Sequence, residues 1–315
     1  MFLQSIVNYG KSTIKLRSNM TIGIIPNTTK ENIVQVVGEI CQKLNEANIS
    51  FLISNSMYFL ADRLSIPVVK SVFVENKELG QRCEIVISIG GDGTMLNTAN
   101  EIRSTNTPIL GLNLGKLGFL TEFEINDIDA FIDDVKNEKY SIEERMTLDA
   151  SCDQKPDEIL HAINDIVIDK GKWPKMINLT IKVDDEYVAT FSADGLIVAT
   201  PTGSTGYSLS TGGPIVSPKA KAIVLSPISP HTLTMRPIVL SSDQKIVITA
   251  ESEHTSIQVN CDGQRVYSFN PPVNLEISKS EYPLRLVQNK NNNYFEILRK
   301  KLYWGLDVRQ NSEKK

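Results

Sequence analysis

The chain has 315 residues, 41% of them hydrophobic, with 33 Lys and Arg against 37 Asp and Glu and a formal net charge of -4. That length predicts about two domains with cores of their own, and the acidic balance supplies no basic face for a nucleic acid. No run approaches the ~18 apolar residues of a membrane span, and the first residues hold no continuous apolar stretch of a signal peptide. Cys41, Cys83, Cys152 and Cys261 form no C-x-x-C pair, so neither a zinc site nor a disulfide framework is expected, and a cytoplasmic location is.

Residues 1–19 are polar and weakly patterned and read as a flexible tail, with Met20 an alternative start. From residue 20 to 124 strands and helices alternate. "TIGIIPN" reads as a strand, and residues 30–48 as a helix with Ile33, Val36, Val37, Ile40 and Leu44 on one side. "SFLIS" and "EIVISIG" are further strands, the latter leading through a glycine turn into a helix that ends near Arg103. "PILGLNLG" is a fourth strand. This alternation predicts a parallel sheet covered on both faces, a Rossmann-like α/β domain.

After a helix at about 126–137 the pattern changes. "HAINDIVID", "MINLTIKVDDEYVATFSADGLIVAT", "KIVITAE", "SIQVNCDGQRVYSF", "PVNLEISKS" and "PLRLVQ" are strands without helices between them. Ile177, Leu179, Ile181 and Val183 alternate, and Asp184-Asp185 reads as a hairpin turn. Residues 125–291 therefore read as a β-sandwich-like domain. A last helix, with Arg299-Lys300-Lys301 on its polar face, spans about 292–305 and is placed back on the first domain.

"GGDGT" (residues 90–94) stands between a strand and a helix. Glycines there let a phosphate approach the main chain, and the helix end supplies N–H groups and positive charge. Neither G-x-x-x-x-G-K-[ST] nor G-x-G-x-x-G is present. Asp92 is the anomaly, since an acid beside bound phosphate is repelled unless it has a task. It either takes a proton from an attacking hydroxyl or holds Mg²⁺; the plainer reading is a helix cap. Asn164-Asp165 is a polar pair within an apolar strand, costly unless partnered, and a ribose diol would satisfy both. "TPTGSTGYSLSTGG" (residues 200–213) is dense in hydroxyls and glycine, with Tyr207 placed to stack on a base. Lys175 reads equally as a phosphate ligand or a surface lysine. His231 reads as structural, and His161 and His254 carry no signal.

"GGDGT" resembles the phosphate-donor motif of NAD kinases, diacylglycerol and sphingosine kinases and, more loosely, phosphofructokinases, and alone does not choose among them. "GLNLGKLGFLTE" (residues 111–122), "AINDIVI" with Asp165 where Glu is more usual, "DGLIVATPTGSTGYSLSTGGPIV" (residues 194–216), "SPHTLTMRPIV" (residues 229–239) and "CDGQ" (residues 261–264) follow in the order of the NAD kinases. The resemblance covers residues 20 to 305. It implies transfer of the terminal phosphate of ATP to the 2′-hydroxyl of the adenosine ribose of NAD, with Mg²⁺ or another divalent cation bridging the phosphates. It implies donor-phosphate contacts at Gly90, Gly91, Gly93 and Thr94, and catalysis by Asp92. For the dinucleotide it implies Asp92, Gly93, Asn164, Asp165, Lys175, Ser192, Asp194, Thr205, Gly206, Tyr207, Ser208, Leu209, Ser210 and Gln264. Some relatives carry arginine where this chain has Ser192. The resemblance further implies a homo-oligomer, a dimer or tetramer, with the nicotinamide end near a subunit contact. A lipid kinase would share "GGDGT" but needs a membrane-facing basic patch or groove, and a non-catalytic dinucleotide sensor would not need Asp92.

Overall fold

The computed structural model describes residues 20–64, 69–115, 117–254, 256–290 and 293–305. The tail expected at 1–19 lies outside them. The first sheet has seven strands in the order β3 (Phe73–Val74), β2 (Ser50–Ser54), β1 (Thr21–Pro26), β4 (Ile85–Gly90), β5 (Ile109–Asn113), β19 (Leu284–Val287) and β6 (Ile142–Arg145). All neighbours are parallel except the last pair. Every residue of β4 and β5 is buried, as a parallel strand covered on both faces requires. On one face lie α1 (Ile33–Glu46) and α4 (Ile128–Lys136), whose apolar stripes join a core with Ile24, Ile87 and Leu110. On the other lie α2 (Asn76–Arg82) and α3 (Asp92–Ile102), packed on Val86 and Ile109.

The other two sheets have six strands each and are antiparallel. One runs β11 (Glu186–Ala193), β10 (Ile177–Val183), β15 (Ile246–Glu251), β18 (Val273–Lys279), β7 (Leu148–Cys152), β8 (Lys155–Ala162). Its companion runs β14 (Ile238–Ser241), β13 (Ala222–Ile228), β12 (Gly195–Ala199), β9 (Asp165–Asp169), β16 (Ile257–Cys261), β17 (Arg265–Phe269). Leu179, Ile181, Ile248 and Leu275 of one sheet share a single buried core with Ile166, Ile168, Leu196 and Val198 of the other, which makes them a sandwich. Val167, Ile197, Ala199 and Val224 bury the outer face of the second sheet as well. This explains why "DIVID" and "GLIVA" read as continuous apolar runs. The Asp184-Asp185 hairpin has φ of +49° and +68°, a type I′ turn.

The sequence-based boundary at residue 124 does not match the packing. α4 lies on α1, and β6 and β19 complete the first sheet, although all three fall in the span assigned to the β-rich domain. The chain crosses into the sandwich near Thr147 and returns through β19, a non-local closure that no local pattern announces. The final helix, α5 (Tyr294–Leu302), is capped by Asn293, whose side chain accepts from the Glu296 N–H at 2.9 Å. The Tyr294 ring lies 6.4 Å from that of Phe119, beside the first sheet. α2 and the 3-10 helix Asn55–Arg63 were not anticipated. With only Leu79 and Gly80 buried, α2 is too short to show a period.

Candidate active site at the joint of the two domains

β4 ends in Gly90, and α3 begins at Asp92 with no side-chain cap on its N-terminus. The first-turn N–H groups are thus left for an outside acceptor. A Cβ on Gly90 would run into the Thr94 side chain, so this glycine is required by close approach, while Gly91 faces open space. The Thr94 hydroxyl is held by Asn27 Nδ2 at 3.1 Å. Gly90, Gly91, Gly93 and Thr94 are thereby brought together in one strand-to-helix turn.

Asp92 does not cap α3. Its carboxylate turns to the segment after β5: Oδ2 accepts from Phe119 N at 2.9 Å, and Oδ1 from Leu120 N at 3.1 Å and the Thr121 hydroxyl at 3.0 Å. A carboxylate has about four lone-pair positions, so one remains for a further donor. Gly118 permits this geometry, because a Cβ there would fall on the Asp92 carboxylate.

Asn164 lies outside any strand, and Asp165 is the first residue of β9. Ile163 and Asn164 form a bend at which the chain leaves β8 in one sheet and enters β9 in the other. The polar pair survives there because Asp262 takes over the backbone: its Oδ1 accepts from Ile163 N at 2.9 Å, Asn164 N at 2.7 Å and Asp165 N at 3.3 Å. Asp262 N donates in return to the Asp165 carbonyl at 3.0 Å. Thr200 N donates to Asn164 O at 2.8 Å, and the Thr200 hydroxyl to Ile163 O at 2.7 Å. Gly203 packs on the Asn164 backbone so closely that no Cβ fits.

The Asp165 side chain is 6% exposed, and among the described residues no donor reaches its carboxylate. Burial, and then the charge of Asp262, push its carboxyl up to about 7. Burial also raises Asp262, against the pull of the backbone N–H groups and Arg265. A buried carboxyl without a partner is costly, and hydroxyl donors from a ligand would relieve it. The Asn164 side chain also has no hydrogen-bond partner among the described residues, and it is half-buried.

The 205–210 segment flanks this corner unevenly. Gly206, Tyr207 and Ser210 are exposed and Leu209 is half-buried, while the Thr205 hydroxyl donates to Thr202 O at 3.3 Å. Ser208 departs from the expectation of a ligand contact: its hydroxyl is buried against that of Ser226 at 2.8 Å. Gln264 donates to Gly93 O at 2.8 Å and so meets the phosphate turn directly.

Lys175, Ser192 and Asp194 are not brought to this place. In β12, Ala199 pairs with Asp165 while Gly195 pairs with Asp169, so Asp194 lies about five residues, or ~16 Å, down the strand. Asp194 pairs with Lys170 at 2.6 Å. Lys175, tied to Glu253 at 2.6 Å, and Ser192 line a separate cavity of about 310 Å³ with Trp173, Met176, Asn178, Glu251, Ser252 and Glu253. His231 donates its backbone N–H to Ser192 O.

Three residues with evident positional roles were not singled out: Asp262, Arg265 and Gly118. The Asp-Gly pair after "SIQVNC" is a hairpin signal, and Asp262 and Gly263 indeed have φ of +57° and +68°. Nothing local announces that the Asp262 carboxylate points across to another sheet corner. Among the described residues no group of three or more His, Cys, Asp or Glu could hold a metal.

Residues 22–140 match the model of the ATP-NAD kinase N-terminal domain, and residues 163–289 that of the ATP-NAD kinase C-terminal domain. The chain belongs to the NAD kinase family. It is 40% identical over 287 residues to an NAD kinase of Prosthecochloris aestuarii, covering 91% of this chain and 98% of the relative. It is 34% identical over 290 residues to one of Natranaerobius thermophilus, covering 91% and 99%. Among solved structures, an Archaeoglobus fulgidus NAD kinase in complex with ATP is 28% identical with a TM-score of 0.71, covering 90% of this chain and 99% of that one. The yeast NADH kinase in complex with NADH superposes with a TM-score of 0.85 over 92% and 89%; at 24% identity it shows the shared fold. Nothing in these likenesses supports a lipid kinase or a non-catalytic sensor. The chain is a phosphotransferase of the NAD kinase family.

Proposed function

We propose that the phosphate turn and the 163–165 corner together carry the transfer of the terminal phosphate of ATP to the 2′-hydroxyl of the adenosine ribose of NAD. The observation that carries this assignment is the Asp165 carboxyl, buried and, among the described residues, without a hydrogen-bond donor, at a corner tied through Gln264 to the phosphate turn. Gly90, Gly91, Gly93 and Thr94 receive the donor phosphates at the uncapped helix end. Asn164 and Asp165 hold the ribose, and Tyr207 flanks the base. The remaining lone pair of Asp92 takes the proton of the attacking hydroxyl, while the 119–121 donors fix the carboxylate's direction. Such a transfer depends on alignment and charge neutralisation more than on covalent chemistry. With no acidic cluster among the described residues, Mg²⁺ fits as an ion held largely by substrate phosphates with Asp92 at most as its protein carboxylate, and it would supply charge neutralisation. Incubation with Mg-ATP and NAD, read by an NADP-specific dehydrogenase, tests the reading. An inactive, folded protein that binds both substrates refutes it.

The separation of Lys175 and Ser192 from the corner supports a homo-oligomer in which one copy's cavity meets its neighbour's corner. Mixing a folded Asp165 variant with a folded Ser192 variant should then restore part of the activity, and light scattering should give a dimer or tetramer. The unit built on the first sheet serves the donor and the β-sandwich the dinucleotide. The four free, buried cysteines fit a reducing cytoplasm, and no described helix is long and apolar enough to cross a membrane.

A further inference from the structure

The turn between β16 and β17 makes contacts that neither the phosphate turn nor the ribose corner explains alone. Asp262, its side chain fully buried, holds the backbone of 163–165 through Oδ1 and pairs through Oδ2 with Arg265 Nη2 at 2.7 Å. The other guanidinium nitrogen, Nη1, donates to Asn100 Oδ1 on α3. Next to Arg265, Gln264 donates to Gly93 O in the first turn of the same helix. One hairpin turn therefore grips the acceptor corner with a carboxylate and the donor helix with a guanidinium and an amide. The hairpin is held in register by Gln264 N donating to Cys261 O and by successive left-handed residues, which Asp and Gly both tolerate.

We infer that Asp262, Arg265 and Asn100 form a positioning relay that aligns the ribose corner with the phosphate turn. None of the three is needed to touch a substrate. Asp262 sets the height of the corner, and Arg265 transmits that height to α3. The relay acts on alignment, the quantity to which an in-line transfer is most sensitive: a ~1 Å misplacement can cost about 10²-fold in rate. Burial raises the Asp262 carboxyl, and Arg265 and the backbone N–H groups pull against it. This inference rests on the reading that the ribose lies at the 163–165 corner.

The test uses the full-length enzyme with Asn100→Ala, Arg265→Met and the double variant. Each single variant should lose about tenfold or more in kcat, while Kd for NAD and for an ATP analogue stays within about twofold, because alignment and not binding is lost. The double variant should lose no more than the worse single one, since both break one connection. Asn100 is only half-buried on a helix surface, so its variant folds even where Arg265→Met does not, and it carries the test alone. Wild-type kcat in folded Asn100→Ala overturns the inference, and so does a double variant whose loss is the product of the single ones. The corner reading fails separately, if Asn164→Ala leaves the NAD constants unchanged.

Discussion

Replacing Asp165 by Asn should make the chain more stable and less active, and the gain should depend on pH. The carboxyl stands at about 7 in the folded chain against an ordinary 3.8. The gap is about 3 pH units at ~1.4 kcal/mol each, so ionising this group above pH 7 costs the fold up to about 4 kcal/mol. Below pH 3.8 both folded and unfolded chains hold the proton, and the term vanishes. Between 3.8 and about 7 only the folded chain holds it, so stability falls as pH rises through that window. Above about 7 the full cost is present. An amide removes the charge but still lacks a partner in the pocket, which leaves a net gain of about 2 kcal/mol. For domains of this size that is ~4–8 °C in Tm. Scanning fluorimetry of the parent and Asp165→Asn at pH 8 and pH 5 reads it, with kcat/KM for NAD measured beside it. The variant should melt higher at pH 8, equal the parent at pH 5, and lose about tenfold or more in kcat/KM. Equal melting at pH 8, or an equal gain at both pH values, would refute the argument that Asp165 is an uncompensated buried acid.

Four further outcomes are expected. Asp92→Asn should keep the fold and lose about 10²–10⁴-fold in kcat, because the amide cannot accept the ribose proton; near-normal kcat with normal NAD binding by calorimetry removes the base role. Gly118→Ala drives a Cβ onto the Asp92 carboxylate, and kcat should fall about tenfold or more at unchanged ATP affinity, since a small misplacement is costly. Asn164→Ala should raise KM for NAD by the equivalent of about 1–3 kcal/mol with KM for ATP unaffected; equal changes in both constants count against a ribose contact. Ser192→Arg places a cation in the cavity shared with Glu251 and Glu253, and should shift the ratio of kcat/KM between cationic NAD and neutral NADH; an unchanged ratio takes the cavity out of substrate discrimination.

The parts of the fold that depend on local pattern could be read from the sequence. The period of Ile33, Val36, Val37, Ile40 and Leu44 gave α1, and the alternation of Ile177, Leu179, Ile181 and Val183 gave β10. The parts that depend on distant pairing could not. β6 and β19 are ordinary strands by composition, and only their pairing with each other and with β5 assigns them to the first sheet. The same division runs through the site. "GGDGT" was legible because glycine density is itself a backbone statement. The surroundings of Asp92 were half legible: an acid out of place in a glycine turn is visible in the sequence, but its three donors come from residues 119–121.

Asn164-Asp165 shows how one polar pair can be noticed in sequence for a reason that differs from its place in the fold. Two polar residues in an apolar run read as a strand with unsatisfied side chains, which a ribose diol would satisfy. The structure places Asn164 instead in a bend and Asp165 at the start of β9, where the change of sheet would orphan backbone groups, and Asp262, about a hundred residues later, accepts those N–H groups. Bringing that second carboxylate against the bend raises Asp165 beyond what burial alone does. The satisfied backbone of the bend and the raised carboxyl of Asp165 are thus two consequences of one packing event. Serine hydroxyls in 205–210 followed the opposite course. Ser208 looked like Ser210 in sequence, yet one hydroxyl closes on Ser226 inside and the other residue faces out. Composition locates a polar loop, but which of its donors remain for a ligand is decided by what the neighbouring strand offers them first.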